Sequence, residues 1–178
     1  MPMYVAMLRG VNVGVHNRMK MPALVALVTD LGHTGVVTYI QSGNVVFKHR
    51  SKSTSALELG IEQGIARDLG LEVAVLVRTR EELAAVVRDS PFLRAGADVS
   101  KLHVTFLKEK PDPVRVREIE AFDGGADELQ VVGRDVYLHC PGGYGNTKLS
   151  GTFVEKCLKA VTTTRNWNSV TKLLELAS

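Results

Sequence analysis

The apolar positions change their period several times along the chain, and each change marks an element. Residues 3–8 form a short, nearly unbroken apolar run that predicts a buried strand. Beyond a polar loop, Pro22 sits at a helix start, where its missing N–H costs nothing. Leu24, Leu27, Val28 and Leu31 then follow at i, i+3, i+4 and i+7. Gly32 and Gly35 mark the exit from that helix. Residues 36–41 and 44–48 predict a hairpin joined through Ser42-Gly43. Leu57, Ile61, Ile65 and Leu69 give a second amphipathic helix that stops at Gly70, and residues 73–78 are a β-branched strand. A third helix opens on Thr79 with Glu82 three residues on, a capping box, and buries Leu83, Val86 and Val87.

The order then recurs. Residues 89–100, with Pro91, Gly96 and no periodicity, read as a linker, which predicts units at 1–92 and 93–178. A strand over 102–108 leads to Asp112-Pro113, which opens a helix carrying Val116, Ile119 and Phe122. Strands over 128–132 and 135–140 turn at Gly133-Arg134. Ser150 caps a helix with Val154, Cys157, Leu158 and Val161 inward, and Asn166 opens a last helix with Trp167, Val170, Leu174 and Ala177 on one face. On this reading no fourth strand follows in the second half. The pattern predicts an α+β protein of two related β-α-β-β-α halves, with antiparallel sheets covered by helices.

Composition narrows the class. A chain of 178 residues with 45% hydrophobic and 23% charged content packs a core rather than staying disordered. No apolar run approaches the roughly 20 residues that span a bilayer, so no membrane is expected. The N-terminus has no basic region before its apolar run and no small-residue cleavage signature, and Cys140 and Cys157 are too few for a disulfide framework. A cytoplasmic protein is expected. The net charge is +3, unevenly spread: residues 1–55 carry six Lys/Arg against Asp30 alone, and the middle of the chain is acidic. A local positive patch is compatible with this distribution, as is a solvated mixed surface.

Two loops hold the candidate chemistry. The connection Arg9-Gly10-Val11-Asn12-Val13-Gly14, continuing to Arg18 and Lys20, has two glycines, an asparagine and no acid. Backbone N–H groups of such a loop beside a helix N-terminus can form an anion-binding concavity, although the spacing is neither G-x-G-x-x-G nor a P-loop. In a β-α-β-β unit the first and second strands run the same way. The Gln41-Ser42-Gly43-Asn44 turn should therefore meet that loop at one end of the sheet. Gln41 and Asn44 are amides that donate and accept without titrating, and the same residues equally serve left-handed turns. A third cluster, Thr162-Thr163-Thr164-Arg165-Asn166-Trp167, puts an arginine and the single Trp at a helix start. Exposed, they would suit stacking on a planar ligand. The spacing to Val170 and Leu174 instead predicts a buried Trp167 and an Asn166 that is a helix cap.

Catalytic and metal signatures are poor. The five histidines have no metal-ligand spacing, no cofactor motif is present, and Cys140 lacks a sequence-local base, which reads as a small buried hydrophobe. The strings LRGVNVG at 8–14, YIQSGNVVF at 39–47 and TTRNWNSVTKL at 163–173 resemble the bacterial family of domain of unknown function 1697 (DUF1697). The resemblance implies a duplicated, ferredoxin-like α+β architecture and no established activity. The chain departs from that family's common pattern at Val15-His16, where glycine and lysine are frequent, and at Asn168, where arginine is frequent. The expectation is a binding protein for a small anionic, nucleotide-like or nucleic-acid ligand. Its site would be formed by Arg9, Gly10, Asn12, Gly14, Arg18, Lys20, Gln41, Ser42 and Asn44, with Arg165 and Asn166 as further candidates. An enzyme using the same cleft and a protein-interaction module are the alternatives, and the oligomeric state is not encoded in any motif.

Overall fold

The computed structural model describes residues 1–178, and its contacts divide the chain into two compact units: Met1–Ala84 with Leu173–Ser178, and Ala85–Lys172. In the first, β1 (Met3–Leu8), β2 (Thr34–Tyr39), β3 (Asn44–Lys48) and β4 (Val75–Thr79) form an antiparallel sheet in the order β2-β3-β1-β4. Helices α1 (Met21–Asp30) and α2 (Thr54–Leu69) cover one face. Tyr4, Ala6, Leu8, Val45, Phe47, Val75 and Val77 point from the sheet into a core completed by Leu24, Leu27, Val28, Leu57, Ile61 and Ile65. The alternate residues Val5, Met7, Val46 and Leu76 are also fully buried, which is why the strands read as unbroken apolar runs.

α2 also closes the sheet's edge. The outward N–H groups of Val75 and Val77 on β4 donate to Glu62 Oε1 and Glu58 Oε1, both at 3.0 Å. Two acids one helical turn apart thus match two strand residues on the same edge. The predicted capping box at α3 (Arg80–Arg88) is present: Thr79 N–H donates to Glu82 Oε2 at 2.8 Å and Glu82 N–H to Thr79 Oγ1 at 3.0 Å.

The second unit follows α4 (Pro91–Arg94) with β5 (Leu102–Leu107), α5 (Pro113–Glu120), β6 (Glu128–Val132), β7 (Asp135–His139), α6 (Gly151–Leu158), β8 (Thr162–Asn166) and the start of α7 (Trp167–Leu176), whose residues from Leu173 onward are counted with the first unit. Its sheet order, β6-β7-β5-β8, repeats the first position for position. The β-α-β-β-α order stands in both halves, and the fourth strand that sequence reading leaves out of the second is present as β8. Its Thr162-Thr163-Thr164-Arg165 run has no apolar alternation to announce it. Threonine is nonetheless a good strand former, and the hydroxyls are satisfied in place: Thr164 with Thr105 at 2.8 Å, Thr162 on the Gly151 carbonyl at 3.4 Å. In α7 the buried face runs through Trp167, Val170, Leu173 and Ala177, so Leu173 replaces the expected Leu174, which is half-buried at the margin.

The register makes the duplication exact in one further place. Val5 pairs with Arg78 and Val104 with Arg165, each arginine being followed by the residue that caps the next helix, Thr79 or Asn166. Arg78 is 1% exposed and Arg165 9%, so the cluster at 162–167 is a repeat of the fold. Trp167 is buried as its spacing predicts.

At the start of β2, His33 is 5% exposed, stands 4.5 Å from Phe47 and 4.6 Å from His49, and has a buried Nδ1 with no hydrogen-bond partner. Burial, aided by the neighbouring His49, lowers its pKa from 6.5 to about 4.

Two stability measurements follow. Glu58→Ala strands the buried Val77 N–H and should cost about 1–3 kcal/mol in urea unfolding, whereas Glu58→Gln keeps an acceptor there and should cost less. Equal losses would show that the edge contact is immaterial. Because the unfolded chain binds the His33 proton near pH 6.5 and the folded chain only near 4, this contribution is complete above pH 6.5. It is lost as pH falls through that window, by up to about 3 kcal/mol. His33→Phe should flatten the stability profile between pH 6.5 and 4, and an unchanged slope would contradict the assignment.

Candidate functional site

The first-unit site grows from the end of β1. Leu8 N–H donates to the Gly43 carbonyl at 2.8 Å and Arg9 N–H to the Ala74 carbonyl at 2.9 Å, which ties the outgoing chain to both neighbouring strands. Gly43 has no substitute there: its φ is +78°, and a Cβ would stand 2.8 Å from the Leu8 Cβ. The predicted meeting of the RGVNVG and QSGN loops therefore occurs.

Asn12 locks it. Its Nδ2 donates to the carbonyls of Met19 (2.9 Å) and Gln41 (2.7 Å), and its Oδ1 accepts the Met19 N–H at 2.8 Å. One carboxamide closes the base of its own loop and staples it to the hairpin turn. Val11 and Met19, 3% and 6% exposed, anchor the loop's two stems in the core. Between them the backbone is tightly wound: Asn12 and Asn17 have φ of 56° and 48°, and Asn17 Nδ2 donates to the Gly10 carbonyl at 3.3 Å. Asparagine tolerates this region well. Ile40, next to Gln41 on the turn, has φ of 50°, which a β-branched residue rarely adopts. Such a residue is held there by its surroundings at a cost of about 1–2 kcal/mol.

Between loop and turn lies a cleft of about 470 Å³ lined by Asn12, Gly14, Arg18, Met19, Lys20 and Gln41. Arg18, Lys20 and Gln41 are exposed, and no acid is among the lining residues. Glu72, on the connection between α2 and β4, belongs to the same end of the sheet but not to the lining. The remaining sequence candidates have structural positions. Asn44 is fully buried and donates to the Tyr39 carbonyl (3.2 Å) and to Ser42 Oγ (3.0 Å). Arg9 and Gly10 are exposed where the loop leaves β1, outside the lining.

The candidates at 165–166 belong to the second unit. Arg165 donates to Thr163 Oγ1 at 2.7 Å and the Thr164 carbonyl at 3.0 Å, and burial lowers its pKa to about 10, which leaves it charged at neutral pH. Asn166 Oδ1 accepts the Ser169 N–H at 2.8 Å, the expected cap. Cys140 is fully buried, and burial raises its thiol pKa, so it is a protonated core residue. A second hollow of about 400 Å³ near α5 and α6, floored by Ile119, Phe122 and Phe153, mixes Glu118 with Arg115 and Lys156 and has no single charge character.

Sequence reasoning missed the internal comparison that the duplication offers. The second unit makes the same two frame bonds, Leu107 N–H to Arg134 O (2.8 Å) and Lys108 N–H to Val161 O (2.9 Å). It nevertheless closes the strand-to-helix connection with residues 108–112 and the hairpin with residues 133–134, where the first unit uses 9–20 and 40–43. For the strand-to-helix connection the signal was available in the spacing of the predicted elements; for the hairpin it was not, since two joining residues were predicted in both units and Ile40 and Gln41 belong to the turn.

The molecule is thus a duplicated α+β protein whose first half carries an elaborated, cationic loop end. The chain belongs to the family described as Protein of unknown function (DUF1697), whose model matches residues 1–137. The RGVNVG and QSGN motifs lie within that match and the 163–173 motif beyond it. Among solved structures, conserved bacterial protein SP0830 from Streptococcus pneumoniae is similar, with a TM-score of 0.79 and 22% identity over 99% of each chain, a likeness of fold. No curated protein matches the chain.

Asn12→Ala removes all three clasp bonds and should lower stability by about 1–3 kcal/mol, with proteolytic sensitivity appearing in residues 9–20. Ile40→Gly relieves the left-handed strain and should raise stability by about 1 kcal/mol. Opposite signs in thermal unfolding are expected, and two neutral substitutions would refute this description of the loops.

Proposed function

We propose that the first unit is a binding module for a small, phosphate-bearing anion, nucleotide-like in character, held in the cleft between residues 9–20 and 40–43. The observation that carries this reading is the length of those loops. The second unit closes the same frame with five residues and two, so the extra residues of the first are not needed to complete the fold. Loops longer than closure requires are where binding residues concentrate. These add Arg18 and Lys20 to a hollow of ligand size with no lining acid, and Gln41 beside them as a neutral donor and acceptor.

The roles divide accordingly. Arg18 offers a planar fork for phosphate oxygens and Lys20, immediately before α1, a compact ammonium. Asn12 positions both through its clasp on the Met19 backbone between them. An enzyme in the same cleft has less support, since the lining offers no carboxylate, thiol or imidazole to move a proton or attack a substrate. The reading treats each half as a ferredoxin-like unit, which the strand orders support, in a bacterial cytoplasmic protein, in keeping with two free cysteines.

A thermal-shift series with inorganic phosphate, AMP and ATP tests the proposal. At about a hundredfold excess over Kd a ligand adds about 2.7 kcal/mol, which raises the Tm of a chain this long by about 5–10 °C. The shift should disappear in the Arg18→Ala/Lys20→Ala variant and persist in Arg115→Ala/Lys156→Ala, the equivalent change at the second unit's hollow. A flat response of the unsubstituted protein to all three compounds would overturn the proposal.

A further inference from the structure

The loop beside the cleft ends in a small finger. Asn12 N–H donates to the Asn17 carbonyl and His16 N–H to the Val13 carbonyl, both at 3.1 Å, and Val13 and His16 form an antiparallel bridge. At its tip Val13 is 63% and Val15 77% exposed, and Ile40 on the neighbouring turn is 50% exposed. The stems already have their core anchors in Val11 and Met19, so the tip valines do nothing for packing. Around them stand Arg9, His16, Arg18 and Lys20, and residues 9–20 contain no acid.

A surface that is aliphatic at its tip and cationic at its base is complementary to a partner with an anionic exterior and an apolar interior. Duplex DNA and an anionic bilayer both have that layering. The cleft separates them, because a duplex backbone running beside the finger brings phosphates to Arg18 and Lys20, whereas a flat bilayer touching the tip leaves the hollow unused. The finger also lacks the Trp or Tyr that anchors proteins at a membrane interface, and it lacks the aromatic platforms on which single strands stack. Apolar side chains, aliphatic ones among them, are the usual wedges between base steps in the minor groove.

We infer that the partner of this end of the first unit is duplex DNA, with Arg18 and Lys20 on phosphates and the Val13-Val15 tip wedged against a base step. The inference rests on the phosphate reading of the cleft and adds the partner. Binding then bends the duplex, and the two parts of the site have separable signatures. The cations set affinity and salt dependence, and the valines set the bend.

The experiment uses the full chain and an end-labelled duplex of about 20 base pairs, read by anisotropy for affinity and by energy transfer for bending, at salt from about 50 to 200 mM. Arg18→Ala/Lys20→Ala should weaken binding at low salt by about tenfold or more and reduce the salt slope by about two. Val13→Ser/Val15→Ser should leave the salt slope and the mononucleotide thermal shift unchanged, lose the bend, and weaken duplex binding by about five- to tenfold. Failure of the unsubstituted protein to bind duplex at low salt while it still responds to nucleotides overturns this inference and leaves the cleft reading standing. Failure of both removes both. Binding to phosphatidylserine vesicles with none to duplex, or a bend that survives the loss of the valines, also overturns it.

Discussion

Asn12 commits both side-chain donors and one of its two acceptor positions to backbone, accepting from Met19 N–H and donating to the carbonyls of Met19 and Gln41. A loop of twelve residues would otherwise cost closure entropy and fray, and the partners of its polar groups would be water. With the clasp in place its stems stay on the core through Val11 and Met19, while Arg18 and Lys20 are carried into fixed positions on one side of a hollow. The hairpin turn is held by the same contact, so loop and turn are one construction. The cleft, the finger and the placement of both cations depend on that carboxamide.

The duplication explains why this construction sits where it does. Both units share a sheet order, a pair of frame hydrogen bonds beyond the first strand, and a buried arginine followed by a helix cap at the end of the last strand. Those shared features are the requirements of the fold. The units differ in the length of the second helix, sixteen residues in α2 and eight in α6, and in their connections, and a connection is the part of a fold that can lengthen at small thermodynamic cost. The first unit lengthened the loops at the end where two strands deliver their termini side by side, and it gave them basic and neutral-polar residues. The left-handed backbone of Ile40 belongs to the same end, where strain is held by its surroundings.

Much of the fold was legible in the sequence because packing wrote it there. Helical apolar spacing marked α1 and α2, Thr79 and Glu82 announced a capping box that exists, and the Trp167 spacing correctly outweighed its attractive neighbours Arg165 and Asn166. β8 was illegible since a strand whose hydroxyls bond to Thr105 and Gly151 needs no apolar alternation. The neighbourhood of the two polar loops followed from β-α-β-β topology alone. The division of labour inside them did not: whether Asn12, Asn44 and Ser42 face a ligand or a backbone carbonyl depends on rotamers and turn geometry that residue type does not encode. Nor does a sequence show that His33 is packed beside His49 with a buried Nδ1 that has no hydrogen-bond partner.

The central claim is that ligand recognition belongs to the elaborated loops of the first unit and not to their short counterparts in the second. An amide-resolved NMR titration with a nucleotide tests it within one molecule, because the second unit is an internal control. Shifts are expected to concentrate at residues 9–20 and 40–43, with the amides of residues 108–112 and 133–134 unmoved. Shifts of equal size in both sets, or none at saturating nucleotide, would contradict it.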